Sequence, residues 1–164
     1  MAKARAIQGL GADDSFSAAA TKILDVRARE LIQHADRVLD VDDIGGVHDM
    51  RVATRRLRAV LEVFGPCFPR AELKAALSEV KALADLLGGR RDRDVAIASL
   101  EEIAQSMSGS DRPGVETLIA RLRCEQADAN EALAGAVHQE RLASLWDRLA
   151  DLLAGVGETA GGRA

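Results

Sequence analysis

The sequence predicts an all-α fold, an antiparallel up-and-down helical bundle of about six helical segments. Hydrophobic residues make up 48% of the 164 residues but aromatic residues only 2%, a composition that favours helices packed through aliphatic side chains. Apolar residues recur at helical spacing along most of the chain, and no stretch alternates as a strand does. Short connections containing Gly and Pro separate the segments, so consecutive helices are expected to be antiparallel neighbours.

The first two helices are predicted from their caps and breakers. Asp14 or Ser15 can cap a first helix that runs to about Leu39, because the side-chain oxygen of either can accept a backbone hydrogen bond. Residues 40–46 are acidic and Gly-rich and predict a turn. The second helix is expected to end near Phe64, because Gly and Pro follow it directly.

Two glycines divide the middle of the chain in this interpretation. Pro69 can occupy the first turn of a third helix that runs to about Leu87. Gly88 and Gly89 are expected to end it, as glycines at a helix C-terminus commonly do. A fourth helix is then predicted to begin at Arg91 or Asp92.

The last part of the chain predicts two more helices, over residues 114–134 and 137–153, separated by a glycine. The resulting domain organisation is a flexible N-terminus over residues 1–14, a single helical domain over residues 15–155, and a flexible tail over residues 156–164. The length suffices for one domain with a hydrophobic core.

Composition excludes several classes of protein. The 22 basic and 26 acidic residues give a net charge of −4, so an anion site must arise from local clustering. Cys67 and Cys124 lack the spacing of a zinc site or a disulfide framework, and no metal or cofactor is expected. No apolar run reaches the roughly 18 residues of a membrane span, and the N-terminus lacks the apolar core of a signal peptide. The protein is therefore expected to be cytoplasmic.

The second predicted helix carries an unusual row of cations. At 100° per residue, four side chains fall within about 80° of one another; we call this set the basic stripe: His48, Arg51, Arg55 and Arg58. Arg56 lies on its flank, and the apolar residues of the helix take the opposite side. Like charges at this spacing destabilise an isolated helix by a few tenths of a kcal/mol, so a bound polyanion is the natural explanation.

A second cluster of cations lies some 30 residues downstream. Lys81 precedes the run Leu87-Gly88-Gly89-Arg90-Arg91-Asp92-Arg93-Asp94-Val95. If a helix begins there, its free N–H groups and the guanidinium of Arg91 would together favour an anion. Asp92 and Asp94 would suit the first turn of that helix, and either can pair with a neighbouring arginine.

Together the two clusters resemble the CHAD family, the conserved-histidine α-helical domains. The first contains the pattern of His, Arg three residues later, and then Arg-Arg-x-Arg; the second contains Leu-Gly-x-x-Arg-Asp-x-Asp-Val. The resemblance implies a non-catalytic module that binds inorganic polyphosphate through a basic surface. Direction to polyphosphate granules is a further expectation from the same resemblance. The binding residues it implies are His48, Arg51, Arg55, Arg56, Arg58, Lys81, Arg90 and Arg91.

The usual family member is about twice as long and carries a second His/Arg/Lys-rich helix, whereas this chain resembles the N-terminal half. It is therefore either a short form that forms a homodimer, in which two-fold symmetry would restore a second stripe, or a half that lacks its mate. The alternative function is a helical adaptor whose basic face binds an acidic protein or a nucleic-acid backbone. A phosphoryl-transfer enzyme is disfavoured, because no phosphate-binding loop or activated nucleophile is recognisable.

Overall fold

The computed structural model describes residues 3–160, with side chains for residues 3–156, and these residues contain no β-strand. The predicted all-α bundle is confirmed, with five helices where about six segments were expected. The helices are α1 (Phe16–Gln33), α2 (Ile44–Val63), α3 (Arg70–Ser106), α4 (Arg112–Ala136) and α5 (Gln139–Ala160). Single 3₁₀ turns, Ala35–Arg37 and Gly65–Cys67, follow α1 and α2.

The main core lies between α1, α2, the first half of α3, and α5. Helix α1 packs on α2 and α5, and α3 packs on α2, α4 and α5. Each of these helices buries leucines in the shared core, and the end of α4 adds Leu133. At 1.5 Å per residue, the 37-residue α3 is about 55 Å long, twice the length of α1. Its second half pairs with α4 around a separate small core formed by Ile97, Ala104 and Ile119.

The start of α1 follows the sequence prediction, and its end does not. Ser15 caps the helix, because its hydroxyl accepts a hydrogen bond of 3.1 Å from the Ala18 amide. The helix ends at Gln33, before the expected Leu39. The 3₁₀ turn follows, and its next residue, Val38, is buried in the main core.

Helix α2 begins inside the segment that the sequence predicted to be a turn. The Asp43 carboxylate caps it by accepting a 3.1 Å hydrogen bond from the Gly45 amide. The hydrogen bond from Arg37 to Asp43 holds the pKa of that carboxyl below its ordinary value. Gly46 is buried, and a Cβ atom there would clash with the carbonyl oxygen of Arg37. The glycine permits a close approach of two backbone segments rather than a turn.

The expected break at Gly88 and Gly89 is wrong, because α3 runs through both residues. Leu87 on one side of the pair and Asp94 and Ile97 on the other are buried on one continuous face. A glycine inside a helix costs about 1 kcal/mol relative to alanine. Burial of this face on both sides of the glycines outweighs that cost, so no helix begins at Arg91 or Asp92.

The two ends of the chain were predicted to be flexible segments. Residues 3–13 form no helix. The Lys22 ammonium of α1 donates a hydrogen bond of 2.6 Å to the carbonyl of Gly9 and forms an ion pair of 2.7 Å with Asp14. Helix α5 continues to Ala160, past the expected end at residue 153. The last residues of the expected tail, 161–164, lie outside the described residues.

Two glycine-to-alanine substitutions test this account of the helices. We expect Gly46→Ala to lower the free energy of unfolding by about 1–3 kcal/mol, because the new methyl group has no room. We expect Gly88→Ala to raise it by about 0.5–1 kcal/mol, because nothing lies within 4 Å of the new Cβ and the helix loses a flexible residue. Urea denaturation followed by far-UV circular dichroism measures both. A Gly46→Ala protein as stable as the wild type would contradict the close approach.

Candidate functional site

The basic stripe lies on the side of α2 that faces away from the core. Arg51, Arg55 and Arg58 are exposed and His48 is half-buried. The opposite side of the helix carries residues with no exposed surface, among them Leu57. Successive cationic groups are about one helical turn, or 5.4 Å, apart along the helix axis. The stripe predicted from the sequence is thus presented to solvent as a continuous row.

The cations of the stripe differ in their partners. Within residues 3–156, the side chains of His48, Arg51 and Arg55 form no hydrogen bond or ion pair. Arg58 donates to Glu62 at 2.7 Å, but both side chains are about half exposed. Exposed pairs of this kind contribute about 0–1 kcal/mol, so Glu62 holds Arg58 only weakly. Arg51 and Arg55, in contrast, expose guanidinium groups that no side chain or backbone group of residues 3–156 engages.

Arg56, on the flank of the stripe, connects α2 to α1. Its guanidinium lies 2.8 Å from Glu30, a carboxylate with only 3% exposure. The second oxygen of Glu30 accepts a 2.6 Å hydrogen bond from Arg27. A buried carboxylate is costly unless it is paired, and these two arginines pair it. Sequence reasoning missed Glu30, which lies at helical spacing among the residues that α1 buries.

Helix α3 carries two of the predicted cations, and one of them contacts α2. Arg91 donates a long hydrogen bond of 3.4 Å to the carbonyl of Ile44, in the first turn of α2. It therefore lies about one turn from His48. Lys81 is exposed and lies ten residues before Arg91, about 15 Å along α3. Because α2 and α3 are antiparallel, that distance brings Lys81 close to the level of Arg55.

Arg90 is in a different environment from the other predicted cations. It has no exposed surface, and it forms a buried ion pair with Asp94, one turn later in α3. Asp94 also accepts a 2.7 Å hydrogen bond from Gln126 of α4. Desolvation lowers the pKa of the Arg90 guanidinium. The continuity of α3 explains this placement: without a helix start at residue 91, Arg90 follows Leu87 onto the buried face.

Other features of the described residues limit the chemistry. No group of three or more His, Cys, Asp or Glu side chains within them is arranged to hold a metal ion. Cys67 is buried and Cys124 exposed, and no disulfide joins the two. Among these residues, no helix has the length and apolar character needed to cross a membrane. The basic stripe with its neighbours on α3 is the candidate site that follows from the geometry.

The Arg90–Asp94 pair predicts a large change in stability. We expect Asp94→Ala to lower the free energy of unfolding by about 3–5 kcal/mol, because it leaves a buried guanidinium without its counter-charge. The double variant Arg90→Met/Asp94→Ala should recover most of that loss. Glu62→Ala, which removes an exposed partner of Arg58, serves as the control and should cost at most about 1 kcal/mol. Urea denaturation measures the free energy of unfolding of each variant. A loss for Asp94→Ala no larger than that for Glu62→Ala would contradict a buried pair between Arg90 and Asp94.

Comparison with known proteins identifies the family. Residues 22–164 match the CHAD domain, a range that includes both clusters of cations. A curated but uncharacterized protein of Mycobacterium tuberculosis is 38% identical over 60 residues, which cover 37% of this chain and 12% of that protein. The match thus spans a small part of the relative's length. The domain match covers most of the present sequence, and the chain belongs to the CHAD domain family.

Proposed function

We propose that this CHAD domain is a non-catalytic module that binds inorganic polyphosphate along the basic stripe of α2. The observation that carries the proposal is the pair Arg51 and Arg55, exposed and without partners within residues 3–156. Membership of a family known for polyphosphate binding supports it. The family is also one of binding modules rather than of recognised catalytic domains.

The chemistry of the stripe suits a chain of phosphates. A guanidinium has a planar fork of N–H donors that can form two parallel hydrogen bonds to one phosphate. Each exposed contact is weak by itself, but a polymer engages successive arginines of the row at once. Neutralising several phosphates also releases their counterions, which gives an affinity that falls steeply with salt.

The proposed contacts follow from exposure. His48, Arg51, Arg55 and Arg58 form the row on α2, and α3 contributes Lys81 and Arg91. Arg56 supports the row from its flank while its guanidinium pairs with Glu30. We assign Arg90 to the interior rather than to the ligand, because a side chain with no exposed surface cannot reach a polyanion.

We extend the proposal to assembly and location. One chain presents one stripe, and a two-fold homodimer would place a second stripe in the same assembly by symmetry alone. A polyphosphate chain could then contact both stripes and gain from their high effective concentration. Such a protein would be directed to the places where polyphosphate collects, such as cytoplasmic polyphosphate granules.

Calorimetric titration with long-chain polyphosphate tests the stripe. We expect the Arg51/Arg55/Arg58→Ala variant to bind about 10–100-fold more weakly than wild type, because it loses three phosphate contacts of up to about 1 kcal/mol each. The slope of log affinity against log salt concentration should fall by about three. The matched control is Arg112/Arg121/Arg123→Ala, which removes the same charge from exposed positions of α4. Equal losses in the two variants would refute a specific site on α2.

Competition and sedimentation distinguish the proposal from the adaptor alternative. We expect poly-glutamate and duplex DNA to displace polyphosphate only at much higher concentrations of negative charge. Analytical ultracentrifugation should show a dimer, either in the free protein or when polyphosphate is added. A protein that prefers poly-glutamate would be an adaptor for acidic proteins. A strictly monomeric complex of one chain with one polyphosphate site would remove the dimer from the proposal.

A further inference from the structure

A second surface feature lies at the junction of α1 and α5, where a groove of about 480 Å³ opens between the end of α1 and the start of α5. Its apolar lining includes Ile32, Leu142 and Ala143, together with Trp146. Two carboxylates, Asp36 and Asp147, line it as well. The groove therefore combines an apolar floor with acidic edges, and the proposed polyphosphate site makes no use of it.

Trp146 lines the groove and contacts a cation of the protein itself. The ring is half-buried, and the guanidinium of Arg29 lies over it, 5.3 Å from the ring centroid. Arg29 is itself held by an ion pair of 2.9 Å with Asp25. Tryptophan is the aromatic side chain that binds cations best. The fold thus already places one guanidinium over this ring.

The acidic edges are uncompensated. Asp36 and Asp147 are exposed, and neither forms a hydrogen bond or ion pair within residues 3–156. At 100° per residue, Glu140 and Asp151 lie within about 40° of Asp147 on α5 and extend the same acidic flank. The cations adjacent to them in sequence, Arg37 and Arg148, are paired with Asp43 and Glu79 instead. Charge complementarity therefore favours a cationic ligand for this groove.

The groove and the basic stripe belong to different sides of the bundle. Helix α2 packs against α1 and α3, and α5 packs against the same two helices. Helices α2 and α5 are therefore diagonal to each other across the main core. A ligand in the groove of α5 leaves the stripe on α2 open.

We propose that this groove docks a cationic amphipathic segment of another protein. An apolar side chain of that segment inserts between Leu142 and Trp146, and its lysines or arginines pair with Asp36 and Asp147. This is the binding mode of an amphipathic helix in an apolar groove, with charge complementarity selecting the partner. A second copy of this chain fits less well, because a two-fold contact would oppose the same acidic edges.

Trp146 is the only tryptophan in the chain, so its fluorescence reports on the groove directly. The probe is a synthetic peptide of about 14 residues, built from Leu and Lys with the leucines at helical spacing. One control peptide has the same composition in scrambled order, and another has Glu in place of Lys. We expect the Leu/Lys peptide to cause a saturable shift of Trp146 emission. Neither control peptide should cause such a shift.

Variants of the protein locate the binding. Ala143 is exposed in the groove, and Ala143→Arg should weaken binding at least about tenfold by filling the groove and adding a positive charge. Asp36→Asn/Asp147→Asn should weaken it about 3–10-fold, as loss of two exposed pairs implies. The matched control, Ala71→Arg, changes an exposed residue in the first turn of α3 and should bind as wild type does. Circular dichroism confirms that each variant is folded.

Three results would overturn the proposal. The first is the absence of a saturable shift, or equal binding by wild type and Ala143→Arg. The second is equal binding of the Leu/Glu peptide, which would remove the cationic character of the partner. The third is a shift of Trp146 emission that occurs without any peptide, grows with protein concentration and disappears in the Ala143→Arg variant. That result, with a dimer in the ultracentrifuge, would assign the groove to a second copy of the chain.

Discussion

Burial of the apolar face of α2 between α1 and α3 is the constraint on which the basic stripe depends. Val47, Met50 and Leu57 have no exposed surface. Adjacent residues of a helix point about 100° apart. Rotation of α2 about its axis by one residue would therefore expose this face and turn arginines toward the core. Charge burial of that kind is strongly unfavourable. The hydrophobic core thereby fixes the direction in which the cations of α2 point, without any contact to the cations themselves.

Two carboxylates that are buried within residues 3–156 each hold an arginine in a structural role. Glu30 takes Arg56 on α2, and Asp94 takes Arg90 on α3. Both carboxylates would be costly in the interior if their arginines were absent. Arg51 and Arg55 meet no such acid within residues 3–156. An arginine is held in a structural role here where a buried carboxylate reaches it, whereas the exposed Glu62 leaves Arg58 in the row on α2.

Features set by local sequence could be predicted, whereas features set by contacts between distant residues could not. The all-α fold, a cap at Asp14 or Ser15 and the exposed face of α2 were predicted from local periodicity and capping. The structure agrees with these predictions and selects Ser15 as the cap. The continuity of α3 through Gly88 depends instead on burial of one face on both sides of it, which outweighs a local preference of about 1 kcal/mol. The interior position of Arg90 follows from that continuity. Pairing between distant residues, as for Glu30 and Arg56, carries no signal in a single sequence.

The net charge of −4 does not oppose the binding of a polyanion, because the charges are separated in space. Unpaired cations lie on α2, and unpaired acids lie along α5, on the diagonal of the bundle. Packed helices are about 8–10 Å apart, so diagonal helices are separated by roughly 11–14 Å. The screening length at physiological ionic strength is about 8 Å. Each surface therefore acts on its own ligand with little influence from the other, and a net acidic domain can present a basic site on one side and attract cationic segments on the other.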